Sequence, residues 1–197
     1  MFLDDTKDNY QKELISFSIK KATRIAISLL VILCVAIGLP FVFLHIDKFS
    51  AYFSNFNVLI FLKDLLLFFL ISLVGIALHE LIHGLTWAMF IKERFRVIQF
   101  GVLWKYLTPY CHCKVPMKLK YYLLGAIMPA LILGIFPLII AFINGNILIF
   151  LLGIYFTVAA SGDFLIVYYL RNERCNDYVK DHESMVGCTV YRLKKDK

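Results

Sequence analysis

Four apolar runs, residues 22–45, 65–91, 119–143 and 147–170, leave this chain few ways to fold in water. A helix needs roughly 20 apolar residues to cross the hydrocarbon core of a bilayer, and each run meets that length. Inside hydrocarbon the backbone must satisfy its own polar groups, which makes helices the expected form. Of the 197 residues, 60% are hydrophobic and 18% charged; a soluble domain carries about a quarter charged residues. The expected fold is an all-α membrane protein, a four-transmembrane-helix bundle. A kink is expected at Gly38, Leu39 and Pro40, and Asn144, Gly145 and Asn146 predict a tight turn joining the last two spans. The first run follows about twenty polar or mixed residues and is too long for a cleavable leader, so it is expected to stay as an anchor.

The net charge of +7 does not point to nucleic acid, because the basic residues lie between and after the apolar runs, where they set topology and meet anionic lipid. Lys92, Arg94, Arg96, Lys105, Lys114 and Lys118 follow the second run; Arg171, Arg174, Lys180, Arg192, Lys194, Lys195 and Lys197 follow the fourth. Both termini are therefore expected on the cytoplasmic side of a cell membrane. Residues 1–170 read as one membrane-embedded domain and residues 171–197 as a basic cytoplasmic tail too short for a core of its own. In the cytoplasmic loop 92–118, the β-branched and aromatic stretch from Arg94 to Trp104 predicts a short β-hairpin-like segment at the membrane face. Pro109 and Pro116 bracket an expected turn containing Cys111, His112 and Cys113. The two thiols could share a soft metal with Cys175 or Cys188, but free thiols are the preferred reading. His112 is a candidate to assist a substrate oxyanion. Five cysteines with no regular spacing exclude a disulfide-stapled secreted fold.

The chemistry lies in the second run, ISLVGIALHELIHGLTWAMF. Residues four apart share a helix face, so His79 and His83 can offer two imidazoles to one metal ion, with Glu80 beside them as general base. This is the zincin pattern. A zinc ion there would lower the pKa of a water to about 7 and polarise a carbonyl. The plainer explanation, structural contacts between helices, has to bear an insertion penalty of about 2.5–3.5 kcal/mol for each ionisable residue at a span's centre. A third ligand is needed. Asp163 is the acidic residue of the last span, and at 1.5 Å per residue both it and His83 lie about 10–12 Å from the basic ends of their helices. Ser161 and Gly162 would allow close helix approach there. Pro129 either kinks the third span or opens its backbone beside the metal.

With HELIHG in an early span, a basic loop after it and Ser161, Gly162 and Asp163 in the last span, residues 60–172 resemble a bacterial membrane family described as putative zincin peptidases. That family is similar to the site-2 proteases, which are intramembrane zinc metalloproteases. The resemblance implies Zn2+ as cofactor, His79, His83 and Asp163 as ligands and Glu80 as catalytic acid/base. It also implies a membrane protein or peptide as substrate, presented as an added strand beside a small sheet, a role the Arg94–Trp104 segment matches. Gly125 to Pro129 only loosely echoes the Gly-Pro-x-x-Asn element of site-2 proteases. The competing class is a non-catalytic membrane zinc-binding, transport or scaffold protein, for which Glu80 would be dispensable. A single intramembrane polar cluster and no internal repeat argue against transport.

Overall fold

The structure, a computed structural model, describes residues 10–104, 108–182 and 186–194. The basic residues Lys105, Lys195 and Lys197 lie outside the described residues. The helices are α1 (Ile19–Leu33), α2 (Leu39–Leu44), α3 (Ile46–Ser54), α4 (Val58–Ala88), α5 (Leu119–Pro129), α6 (Phe136–Asn144), α7 (Ile147–Ala159) and α8 (Ser161–Leu170). The strands are β1 (Tyr10–Ser16), β2 (Ile98–Leu103), β3 (Thr108–Cys113), β4 (Met117–Lys118), β5 (Tyr178–Asp181) and β6 (Gly187–Leu193).

Three helical stretches, Ile19–Leu44, Val58–Ala88 and Leu119–Asn144, are long and apolar enough to cross a membrane. Helices α7 and α8 meet at a 43° bend and make a fourth if taken as one broken span. The first and third stretches each contain a π-helical turn, Cys34–Gly38 and Ala130–Ile135, which ends two residues before Pro40 and Pro137. Proline lacks the N–H that its helix would donate, and its ring crowds the carbonyl four residues back; a widened turn accommodates both. The second stretch starts seven residues earlier than its apolar run, because Asn57 caps it. The Asn57 side-chain oxygen accepts from the Leu59 N–H at 2.9 Å and the Ile60 N–H at 3.3 Å.

The chain divides into two compact units. One comprises residues 23–79 and 129–161. Its core centres on Phe41, fully buried and stacked on Phe150 at 4.0 Å between ring centroids. The expected turn is there: Gly145 adopts φ 66°, a left-handed conformation that glycine takes without strain, and Asn146 caps α7 by accepting from Ile149 N–H at 3.0 Å. His45 Nε2–H donates to the Phe142 carbonyl at 3.0 Å, and Lys48 bonds the Asn144 carbonyl, so two basic side chains satisfy the exposed end of α6.

The other unit comprises residues 1–22, 80–128 and 162–197. Its described residues include an antiparallel sheet ordered β1-β6-β5-β4, and a separate β2–β3 hairpin. The chain is mostly helical, as expected, and the sheet goes beyond the expected hairpin because residues 171–197 contribute β5 and β6. The alternation in β5 explains how. Val179 and Asp181 are buried while Tyr178 and Lys180 are half-buried, so a strand of mostly polar letters still has an inward face. Val179, Cys188 and Val190 pack inside with Leu119, Tyr122 and Leu170. The hairpin expected in the 92–118 loop is present, but its second strand is Thr108–Cys113, where a turn is expected from the sequence.

Arg192 on β6 ties the sheet to the end of α8. Its guanidinium donates in a forked pair to Glu173, from Nε at 2.7 Å and from a terminal nitrogen at 2.6 Å, and also reaches Glu13 on β1. Through these bonds Arg192 holds the Glu173 carboxyl below its ordinary range. A depressed carboxyl stabilises the fold above its unfolded pKa, near 4.5, and loses that contribution as pH falls through the folded value. Arg192→Lys keeps the charge but not the fork, and is expected to cost about 1 kcal/mol. Hydrogen exchange of the β6 amides at neutral pH should quicken in that variant, with the difference shrinking in acid; equal exchange at both pH values would contradict the assignment.

Candidate metal centre

Helix α4 is exposed over most of its surface, and apart from Trp87 its buried residues are small or polar: Ser72, Gly75, His79, His83, Gly84, Thr86 and Ala88. Close packing of membrane-type helices favours such residues. His79, His83 and Trp87 recur every fourth residue, so they align along one face of α4. His83 is 4% exposed and carries the clearest geometry. Its Nδ1–H donates to the Gly125 carbonyl on α5 at 2.8 Å, which leaves Nε2 as the electron-pair donor. Nε2 lies 3.5 Å from Asp163 Oδ1, in the first turn of α8.

Pro129 explains why the Gly125 carbonyl is available. In a regular helix that oxygen accepts from the N–H four residues on, and residue 129 has none. The Gly125 carbonyl is therefore left to accept from His83. The glycine matters as well. A Cβ on Gly125 would lie 2.0 Å from Trp87 Nε1, and the indole needs that space to stack on His83, with ring centroids 5.3 Å apart.

His79 stands one turn before His83 on the unbroken helix α4. His79, His83 and Asp163 each offer a donor atom, and these atoms lie within 4.8 Å of one another. Among the described residues this is the group of three arranged to hold a metal ion. Two imidazoles and a carboxylate, with one imidazole fixed in its ligating tautomer, fit zinc and leave a fourth position open. Glu80 is half-buried on the same turn.

Other expected candidates fall elsewhere. Cys111 and Cys113 face inward on β3, while His112 points to the other side against Tyr110. Burial pushes the Cys113 and Cys188 thiols up to about 12. Burial and then the Glu80 carboxylate also push Cys111 well above its ordinary range. All five cysteines are free thiols, and Cys175 is exposed. A Cβ on Gly162 would meet nothing within 4 Å, so the close approach expected at that residue occurs at Gly84 and Gly125 instead. At Gly84 a Cβ would lie 2.5 Å from the Phe100 ring and 3.1 Å from Ile98, which brings β2 against the helix directly after His83.

Trp87, Tyr122 and Asp181 had no signal in the sequence. Trp87 Nε1–H donates to the Tyr122 carbonyl at 3.1 Å, and the Tyr122 hydroxyl donates to Asp181 Oδ1 at 2.6 Å. Burial pushes the Asp181 carboxyl up to about 6. A tryptophan and a tyrosine in apolar runs read as packing, and an aspartate near the end of a chain reads as surface.

Apolar helices carrying two buried imidazoles and a half-buried carboxylate as a donor set define a candidate metalloprotein of the zincin type. The chain belongs to the family described as "Putative zincin peptidase", whose model matches residues 72–178, more than half of the 197. That family implies zinc and metallopeptidase activity. Comparison with curated proteins and with solved structures found no match.

Proposed function

We propose that this protein is a membrane-embedded zinc metallopeptidase, similar in plan to the site-2 proteases, with His79, His83 and Asp163 as ligands and Glu80 as general base. The observation that carries the reading is the placement of His83, whose Nδ1–H is held by the Gly125 carbonyl while its Nε2 faces Asp163. Bound zinc supplies a Lewis acid and a water of lowered pKa. The chain's own groups do the rest. A Glu80 carboxylate oxygen takes the proton of the attacking water and passes it to the leaving amine nitrogen. The Gly125 carbonyl keeps the His83 ring oriented. The β2–β3 hairpin, pressed onto α4 at Gly84, offers the free edge of β2 to a substrate strand; among the described residues β2 pairs with β3 alone.

The substrate is a membrane protein or peptide, the surrounding partner is lipid, and both termini face the cytoplasm. Pairing of β1 with β6 puts a strand that precedes the first span beside one that follows the last, which supports an even number of crossings. The basic residues of the 92–118 loop and of the tail belong to the same unit, in keeping with one cytoplasmic side.

Elemental analysis of the detergent-purified protein tests the site. Wild type should carry about one zinc per chain. His83→Ala and Asp163→Ala should each lose it. Zinc retained in Asp163→Ala would move the third ligand elsewhere, and no zinc in wild type after reconstitution would remove the peptidase reading.

A further inference from the structure

Asp181 is a buried carboxylate for which the peptidase reading has no use. It ends β5 on the inward face, 8% exposed, and both of its oxygens are engaged. Oδ1 accepts from the Tyr122 hydroxyl at 2.6 Å, and Oδ2 accepts from the Cys113 backbone N–H at 2.7 Å. One carboxylate thereby joins α5 to the β2–β3 hairpin. A charged group is expensive to bury even when paired, and an apolar side chain would fill the same place beside Val179 at less cost.

The two bonds lead to the metal ligand. Tyr122 lies three residues before Gly125 on α5, so fixing its ring and hydroxyl fixes the turn whose carbonyl orients His83. The Tyr122 ring stacks on Trp87 with centroids 5.4 Å apart and planes 9° apart; Trp87 in turn stacks on His83 at 5.3 Å and 18°. The Trp87 N–H bonds the Tyr122 carbonyl. His83, Trp87 and Tyr122 thus form a column of three rings, and Asp181 holds its far end. Its second oxygen holds Cys113, which pairs across the hairpin with Ile98, a residue packed near Gly84.

We propose that Asp181 is a positioning residue for the metal site: through Tyr122 and the Cys113 amide it sets the orientation of the His83 ring and ties the β2–β3 hairpin to the helix that orients it. This rests on the zinc reading for its purpose, but its geometry can be tested without zinc. It acts through other residues and touches no reacting atom.

The test uses full-length protein in detergent with 15N-labelled histidine, comparing wild type, Asp181→Asn, Tyr122→Phe and Val179→Ala, with and without zinc. In metal-free wild type the His83 Nδ1–H should give a slowly exchanging resonance of the Nδ1-protonated tautomer. In Asp181→Asn and in Tyr122→Phe that resonance should broaden or exchange away, and zinc affinity by chelator competition should fall at least about tenfold. Tyr122→Phe is the milder change and decides the matter if Asp181→Asn does not fold. Val179→Ala loosens the same core without touching the column and should leave the His83 resonance in place. An unchanged resonance in Tyr122→Phe and in folded Asp181→Asn would overturn the proposal, as would an equal loss in Val179→Ala, which would mean general loosening. If wild type binds no zinc, the peptidase reading fails while the metal-free His83 resonance still decides the role of Asp181.

Discussion

Glu80→Gln is expected to keep its zinc and to lower peptide hydrolysis by about 10²–10⁴-fold, the range for removal of a general acid/base. The amide has nearly the shape of the carboxylate but cannot take a proton. Glu80 is not one of the three residues grouped as metal donors, so the ion should remain. The measurement pairs zinc content with cleavage of a transmembrane-peptide library in proteoliposomes. Full activity in the variant would leave Glu80 without a catalytic role and favour a non-catalytic zinc-binding protein. Loss of zinc together with activity would make Glu80 a ligand or a support of one.

Gly125→Ala should damage stability and the metal site together. The new Cβ would lie 2.0 Å from Trp87 Nε1 and 2.3 Å from its Cδ1. The indole is 4% exposed and lies between His83 and Tyr122, so it has no space into which to retreat. Overpacking of this kind costs about 1–3 kcal/mol, and losing the bond from Trp87 to the Tyr122 carbonyl adds about 1 kcal/mol. Because the same indole stacks on His83, zinc affinity should fall along with stability. Gly162→Ala is the internal comparison: it neighbours Asp163, its Cβ meets nothing within 4 Å, and it should be silent. Thermal melting and chelator competition on both variants check the claim, and a wild-type result for Gly125→Ala would mean that Trp87 does not hold its place as described.

Much of the local order was legible because it follows from composition and spacing. Long apolar runs become long helices whatever they pack against. Asn144, Gly145 and Asn146 make their turn through backbone freedom and a side-chain cap, both properties of the residues themselves. Helix α4 shows where such reading stops short. Lys63 and Asp64 mark the edge of the apolar run, but helix ends are set by caps rather than by charge, and Asn57 carries the start back to Val58. The four-stranded sheet was hidden for a different reason. Tyr10–Ser16 pairs with Gly187–Leu193, far away in the chain, and strands of two to seven residues carry no periodicity strong enough to reveal that partnership.

The sequence by itself determined the helical stretches apolar enough for a membrane, and it determined that His79 and His83 share one face with Glu80 beside them, since a helix repeats itself every 3.6 residues. It could nominate Asp163 but not bring it to His83. Tertiary structure decided that meeting, the use of the Gly125 carbonyl that Pro129 leaves open, and the inward turn of Asp181. Each depends on residues far apart in the chain arriving at one place, and the packing that brings them there is a property of the whole fold rather than of any segment.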